Sequence, residues 1–187
     1  MPDADALRRR LSDAGHRPSF AGRMLDRRFD RGGEFALADE VVRVRSYQQA
    51  DGSVHEVLGW KGATTVDLHG YKARPEVESM LSGGAPAATL LRQLRFEVIH
   101  AIDRYVEVFD VGGAMVRLEW YPDGDTLVEV EGDRDSIEAA IVVTGLDRAS
   151  FSAEPLAVFA AQFAARNGHP ARLALESPDE MPAHWPR

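Results

Sequence analysis

Hydrophobic residues recur along the chain at two spacings, and their alternation predicts an α+β fold. Apolar positions three and four residues apart are typical of an amphipathic helix, and apolar positions two apart are typical of a half-buried strand. Helices are predicted over residues 3–14, 86–95, 135–144 and 154–166. Strands are predicted over residues 41–47, 54–60, 71–78, 98–110, 114–121 and 126–131, and residues 171–176 form a candidate last strand. This order of elements predicts an antiparallel sheet with helices packed against it.

Glycines mark the ends of several of these elements. Gly15, Gly145 and Gly168 each follow a predicted helix, where glycine readily adopts the left-handed conformation of a helix end. Gly112-Gly113 separates two predicted strands and is a typical two-residue hairpin turn. The strands on either side of this turn are therefore expected to pair as antiparallel neighbours.

The polar faces of the predicted strands carry charged groups rather than the usual mixture of polar residues. Residues two apart on a strand lie about 7 Å apart on the same side of the sheet. Their opposite faces are apolar, as in Val42 and Val44, and are expected to pack under the helices. The charged sets that share a face are Arg43 with Arg45; Arg74 with Glu76 and Glu78; Arg117 with Glu119; and Glu129 with Glu131.

Two interpretations of these faces compete. In the first, the sheet has one dry side and its charged side is simply solvated, which is ordinary for a single strand. In the second, the sheet closes into a barrel with the charged face inside. Two carboxylates about 5 Å apart would then repel by roughly 3 kcal/mol at an effective dielectric constant near 20. Divalent cations would offset the carboxylates and a polyanion would offset the arginines, so such an interior suits a metal-bound polyphosphate.

The composition is that of an ordinary globular chain. Its 187 residues are 44% hydrophobic and 28% charged, which supports a single domain with a buried core. The absence of cysteine excludes disulfides, thiolate zinc sites and cysteine nucleophiles. The net charge of −8 argues against general nucleic-acid binding, and no apolar stretch is long enough to span a membrane. We therefore expect a cytoplasmic protein that binds neither nucleic acid nor membranes.

Several short motifs, in this order, resemble the CYTH family of triphosphate tunnel metalloenzymes. The motifs are LGWKG at 58–62, YKARPEVE at 71–78, DRY at 103–105 and LVEVE at 127–131, and DRRFD at 26–30 is similar to the family's early strand. The family includes class IV adenylate cyclases, thiamine triphosphatases and inorganic triphosphatases. The resemblance extends over about residues 3–165.

The resemblance implies an antiparallel β-barrel, or tunnel, of about seven to eight strands that holds a triphosphate with Mg²⁺ or Mn²⁺. The resemblance assigns no catalytic residue. Lys72 is placed inside the tunnel only because it lies two residues from Arg74, on the same face of the predicted strand. The carboxylates that it implies as metal ligands are Glu76, Glu78, Glu119, Glu129 and Glu131. The basic residues that it implies as phosphate ligands are Arg43, Arg45, Lys61, Lys72, Arg74, Arg104 and Arg117, which include both lysines of the chain.

Two departures from the family's pattern bear on activity. The family opens with an E-x-E-x-K strand before its first helix, whereas this sequence begins at that helix, and Ile102 stands where the family has a basic residue. Three arrangements would complete the sheet: residues 171–176 take the missing place, two edges pair across a homodimer, or the natural chain begins earlier. We favour the last, because the helix follows E-x-E-x-K directly in the family.

The expected function is metal-dependent hydrolysis of an inorganic, thiamine or nucleoside triphosphate. The alternatives are class IV adenylate cyclase activity and a non-catalytic module that binds a triphosphate or polyphosphate. A structural barrel with a solvated charged face is the remaining hypothesis. We expect one tunnel domain over residues 1–177 and a loose tail over residues 178–187.

Overall fold

The computed structural model describes residues 3–81, 86–177 and 179–186, and it confirms the α+β class. The helices in these residues are α1 (Ala4–Asp13), α2 (Glu34–Leu37), α3 (Ala87–Gln93), α4 (Arg134–Thr144) and α5 (Leu156–Asn167), with a 3₁₀ turn at Arg148–Ser150. The strands are β1 (Pro18–Asp30), β2 (Val41–Gln49), β3 (Val54–Lys61), β4 (Thr65–Val66), β5 (Lys72–Ala73), β6 (Glu76–Leu81), β7 (Glu97–Val111), β8 (Ala114–Trp120) and β9 (Leu127–Glu131).

The predicted antiparallel sheet is confirmed. Within the described part of the chain, seven strands lie in the order β6-β3-β2-β1-β7-β8-β9, and β4 pairs with β5 in a separate small sheet. The pairs β2–β3, β3–β6, β7–β8 and β8–β9 are all antiparallel. Gly112 and Gly113 both have positive φ angles, 62° and 90°, as the turn between β7 and β8 requires.

The chain divides into two compact units. Unit 1 contains the residues up to Gly22 and those from Arg104 onward, and unit 2 contains Arg23–Asp103. The first part of β1 and the last part of β7 belong to unit 1, and the other parts of these strands belong to unit 2. The single domain expected over residues 1–177 stays a prediction.

The core of unit 1 joins α1 and α4 to the apolar face of β7, β8 and β9. Asp3 caps the start of helix α1, and its carboxylate accepts a hydrogen bond from the backbone N–H of Ala6 at 3.0 Å. Leu7 and Leu11, one turn apart on this helix, are buried in one cluster with Val116 and Leu118 of β8. The predicted packing of the apolar strand face under helices is therefore confirmed in this unit.

The core of unit 2 follows the same principle. Ala87 and Leu91 of α3 form a buried cluster with Phe29 of β1 and Val44 of β2. Because Val44 points to this side of the sheet, its neighbours on the strand, Arg43 and Arg45, point to the other side. The charged face of unit 2 thus lies opposite its apolar core.

One predicted strand is divided in two. The segment 71–78 was expected to be continuous, but it separates at Pro75, which has no N–H to donate to a ladder. Just before it, the Arg74 guanidinium donates from Nε to the Gly62 carbonyl at 2.8 Å and from Nη2 to Asp39 Oδ1 at 2.7 Å. These contacts hold Arg74 to the segments that precede β4 and β2. Strand β5 pairs with β4, and β6 continues the large sheet.

Residues 179–186 lie in the segment predicted to be a loose tail, and one of their side chains is buried. Trp185 is 3% exposed and belongs to the core cluster of unit 1. Its Nε1 donates to the Tyr121 carbonyl at 3.3 Å, and His184 Nε2 lies 2.8 Å from the same oxygen. The segment 171–176 forms a single antiparallel bridge, between Arg172 and Asp123, rather than a strand. None of the described helices is long and apolar enough to cross a membrane.

Candidate functional site

The charged face of unit 2 is organised by the register of three strands. Arg43 on β2 lies opposite Gly59 on β3, which lies opposite Glu78 on β6. Arg43 reaches past the glycine, and its Nη2 donates to Glu78 Oε1 at 2.8 Å. A Cβ atom at Gly59 would lie 3.3 Å from that oxygen and 3.5 Å from Arg43 Nε. The missing side chain at Gly59 therefore leaves room for an ion pair that crosses two strand spacings.

A second carboxylate of unit 2, which was not among the predicted site residues, binds two arginines. Asp26 on β1 is 1% exposed. Its Oδ2 accepts hydrogen bonds from Arg45 Nη2 at 2.9 Å and Nε at 3.3 Å, and Arg43 Nη1 lies 3.9 Å away. The DRRFD motif contains this residue, and the charged positions Asp26, Arg28 and Asp30, spaced two apart on β1, were the available signal.

The remaining pair of this face lies nearer the surface. Val41, Lys61 and Glu76 are aligned across β2, β3 and β6, and Lys61 Nζ donates to Glu76 Oε1. We call Asp26, Arg43, Arg45, Lys61, Glu76 and Glu78 the unit 2 cluster.

Burial and neighbouring charge act in opposite directions on the ionisation of this cluster. Burial raises the pKa of the Glu78 carboxyl, but the hydrogen bond and charge of Arg43 outweigh it, so the pKa lies below its usual value. Burial likewise disfavours the charge of Arg45, but Asp26 and Tyr47 raise the pKa of its guanidinium. These groups are therefore charged at neutral pH.

The charged face of unit 1 is centred on Glu119, which is 4% exposed. Its Oε1 accepts a hydrogen bond from Arg117 Nε at 2.7 Å and lies 3.1 Å from Arg104 Nε. Burial raises the pKa of Glu119, but the two guanidinium groups more than compensate and leave the pKa below its usual value. Both arginines are 6% exposed, so this is a buried network of charges.

Two further carboxylates lie at the outer side of Arg117. Its Nη2 donates to Glu129 Oε2 and lies 3.8 Å from Glu131 Oε1. The side chains of Glu129 and Glu131 are 44% and 48% exposed. The repulsion expected between these carboxylates is therefore offset by the guanidinium that both approach. We call Arg104, Arg117, Glu119, Glu129 and Glu131 the unit 1 cluster.

Tyr121 contacts the unit 1 cluster and was not among the site residues predicted from the sequence. It is 2% exposed, its hydroxyl donates to Glu119 Oε2, and the Arg104 guanidinium lies 5.9 Å from the centre of its ring. Burial first and Glu119 second raise the pKa of Tyr121, so the hydroxyl keeps its proton. Its position two residues after Glu119 indicated the charged face, but a tyrosine on a predicted strand is more often a core residue.

No family model matches the chain. Polyribonucleotide nucleotidyltransferases of Frankia casuarinae and Frankia alni are 32% and 31% identical to it over 162 residues, or 82% of this chain. The chain spans about a fifth of the length of these curated relatives, 20% in each case.

Three solved structures match a larger share of this chain than the Frankia relatives do. A candidate adenylate cyclase from Vibrio parahaemolyticus has a TM-score of 0.70 at 16% identity, covering 86% of this chain and 93% of that one. A Pyrococcus horikoshii protein has a TM-score of 0.67 at 12% identity, covering 84% and 94%. A candidate adenylyl cyclase from Hippeastrum, described as having a dominant triphosphatase activity, has a TM-score of 0.59 at 19% identity, covering 92% and 95%. This chain has their fold.

The structure brings most of the predicted site residues together, in two groups. Arg43, Arg45, Lys61, Glu76 and Glu78 meet in the unit 2 cluster, and Arg104, Arg117, Glu119, Glu129 and Glu131 form the unit 1 cluster. The two exceptions precede Pro75. Lys72 lies exposed in the small sheet of β4 and β5, and Arg74 is held by Asp39. The parity argument for Lys72 does not apply, because the strand on which it depended is divided.

The predicted metal ligands are bound to basic groups. Each of the five carboxylates forms an ion pair with a residue that was predicted to hold phosphate. In the described ranges, no three or more His, Asp or Glu side chains are grouped so as to hold a metal ion. The arrangement is therefore one of mutual neutralisation, in which acidic and basic groups satisfy each other.

Proposed function

We propose that the chain is a CYTH-type protein that binds a triphosphate together with Mg²⁺ or Mn²⁺ and hydrolyses it. The observation that carries this proposal is the burial of four arginines on the charged faces. Arg43, Arg45, Arg104 and Arg117 are each 6–7% exposed. A solvated charged face, the structural hypothesis, does not agree with this burial. The closed tunnel that the family resemblance implies is part of the proposal.

Buried ion pairs are a poor way to stabilise a fold, which favours a role in binding. Removing two charges from water costs several kcal/mol per ion, and well-packed apolar residues often stabilise a core equally well. In addition, Arg43 Nε is buried with no hydrogen-bond partner among the described residues. An unused donor on a buried guanidinium is suited to a phosphate oxygen, which arginine binds with two parallel N–H groups.

The carboxylates of β9 fit a divalent cation of the Mg²⁺ type. Such an ion is usually held by one or two carboxylates, and substrate phosphates and waters complete its shell. Glu129 and Glu131 supply two half-exposed carboxylates on one strand face. A cation bound there would neutralise phosphate charge and polarise a phosphorus–oxygen bond. Arg117, which now pairs with both carboxylates, would then be released to bind a phosphate oxygen.

Hydrolysis is preferred to cyclisation on the strength of the comparisons. The Hippeastrum neighbour is described by its dominant triphosphatase activity, although it was a candidate adenylyl cyclase. The Frankia relatives are named for nucleotidyl transfer to polyribonucleotides, but this chain spans only a fifth of them. A net charge of −8 also gives a polyribonucleotide no general electrostatic attraction. The retained alternatives are adenylate cyclase activity and triphosphate binding without turnover.

The two lysines of the chain provide a matched test. Lys61 belongs to the unit 2 cluster, whereas Lys72 lies in the separate small sheet. A charge-assisted contact contributes about 1.5–3 kcal/mol, so Lys61→Met should weaken binding of inorganic triphosphate with Mg²⁺ at least about tenfold. Lys72→Met should leave the affinity unchanged. Calorimetry gives the affinities, and release of orthophosphate gives the turnover.

The possible results separate the functions. Orthophosphate release by the parent chain supports the triphosphatase, and cyclic AMP with pyrophosphate from ATP would support the cyclase. Saturable binding without any product would support the binding module. If inorganic triphosphate and ATP both fail to bind, the proposal is wrong. Equal loss of affinity in the two lysine variants would remove the unit 2 cluster as the phosphate site.

A further inference from the structure

Two aromatic rings stack at one end of the charged face of unit 2. Tyr47 on β2 lies directly opposite His55 on β3. Their ring centres are 4.7 Å apart and their planes differ by 10°. Tyr47 follows Arg45 at a spacing of two, so its side chain lies on the same face as Arg43 and Arg45. Along β2, this face therefore changes from guanidinium groups to a flat aromatic pair.

The aromatic pair is joined to the phosphate-binding residues of the proposed site. Arg45 Nη1 donates to the Tyr47 hydroxyl at 3.3 Å, and the guanidinium lies 5.9 Å from the centre of the tyrosine ring. Both rings are only half-buried, unlike Arg45. Val57, opposite Arg45, and the exposed Met80 beside it on β6 continue this end of the face with apolar surface. The face thus offers a polyanion site beside a partly exposed, apolar stacking surface.

We propose that Tyr47 and His55 form a stacking subsite for the ring of an organic triphosphate, and that this ligand is a nucleoside triphosphate. The inference rests on the proposed function, whose phosphate-holding residues include Arg45. Inorganic triphosphate has no ring that could stack on these aromatic side chains. Thiamine triphosphate has a flat ring, but its positive charge would lie near the Arg45 guanidinium. A neutral nucleobase avoids that repulsion and stacks on aromatic side chains whatever its identity.

The selectivity expected from this subsite is for a ring rather than for one base. Stacking of a base on an aromatic side chain contributes enough to change affinity at least about fivefold. ATP should therefore bind at least about fivefold more tightly than inorganic triphosphate, and also more tightly than thiamine triphosphate. ATP and GTP should differ little, because stacking on an aromatic ring does not distinguish the edges of the bases.

The experiment compares three variants by calorimetry with Mg²⁺ and by the ultraviolet difference spectrum of the bound adenine. His55→Ala should remove the preference for ATP over inorganic triphosphate and reduce the hypochromic signal of stacking, while the affinity for inorganic triphosphate stays unchanged. Tyr47→Phe keeps the ring and should keep the preference. Val54→Ala is the matched control, because this exposed residue lies next to His55 on the opposite strand face.

The outcomes distinguish this inference from the function on which it rests. If the parent chain binds ATP and inorganic triphosphate equally, the stacking subsite is overturned and the proposed function stands. The same holds if His55→Ala leaves the preference and the adenine spectrum unchanged. Tighter binding of thiamine triphosphate than of ATP would overturn the nucleoside assignment. If none of these triphosphates binds, the proposed function and the subsite are both overturned.

Discussion

Neutralisation of Glu119 is the most direct test of the buried charge network in unit 1. The Glu119→Gln variant keeps the size of the side chain but removes the negative charge between Arg104 and Arg117, which lie 3.1 Å and 2.7 Å from its Oε1. The variant leaves the Arg104 guanidinium without this carboxylate and leaves Arg117 with only the half-exposed Glu129 and Glu131, although both arginines are 6% exposed. We therefore expect a large loss of stability from a substitution that is nearly isosteric.

The expected magnitude follows from burial. Removing one partner of a buried ion pair typically costs 3–5 kcal/mol. Since glutamine still accepts one hydrogen bond, we expect about 3 kcal/mol for Glu119→Gln. For a chain of this size, each kcal/mol lowers the melting temperature by about 2–4 °C, so the expected decrease is about 6–12 °C.

The effect should also depend on pH. Glu119 has a folded pKa below its usual value, so its charge stabilises the fold above the unfolded pKa of about 4.3. This stabilisation is lost as the pH falls through the lowered folded pKa. The difference between the parent and Glu119→Gln should accordingly be complete near neutral pH and decline in acid below about pH 4.

The matched control is Glu131→Gln, which makes the same change on the same charged face. Glu131 is 48% exposed and lies 3.8 Å from the Arg117 guanidinium, so about 0–1 kcal/mol is expected. Urea unfolding followed by tryptophan fluorescence suits the comparison, because Trp120 and Trp185 both belong to the core of unit 1. If the two variants are equally stable at neutral pH, the interpretation of Glu119 as the centre of a buried network is refuted.

Other predictions concern the neighbours of the two clusters. Tyr121→Phe should raise the pKa of Glu119 and lower the free energy of unfolding by about 1.5–3 kcal/mol, measured by urea unfolding across pH, because a charged acceptor loses its donor; an unchanged pH profile would contradict this. Trp185→Ala should destabilise unit 1 by about 3–5 kcal/mol in thermal unfolding, and a neutral effect would mean that the tail does not dock. Gly59→Ala should weaken binding of inorganic triphosphate, because its Cβ would crowd Glu78 Oε1 at 3.3 Å and so disturb the ion pair with Arg43; calorimetry showing parent-like affinity would disprove that role.

The sequence alone determined the class of the fold and the composition of its faces. The side chains of a strand alternate between its two faces, and this alternation depends only on neighbouring residues. Val116 and Leu118 could therefore be assigned to the core, and Arg117 and Glu119 to the charged side. Turn chemistry is local as well, which is why the Gly112-Gly113 hairpin was predicted correctly. The same local rules failed at Pro75, where one residue without an N–H separated Lys72 from the large sheet.

Only the tertiary structure decided which charges are partners. Asp26 binds Arg45 across 19 positions of sequence, and Arg43 reaches Glu78 across 35, because strands β1, β2, β3 and β6 are brought side by side. Spacing along a single strand carries no information on such register. Burial of Trp185 could not be predicted from local sequence either, since its indole donates to a carbonyl 64 positions away. Sequence therefore specified which chemical groups each face carries, and the register between strands specified what those groups bind.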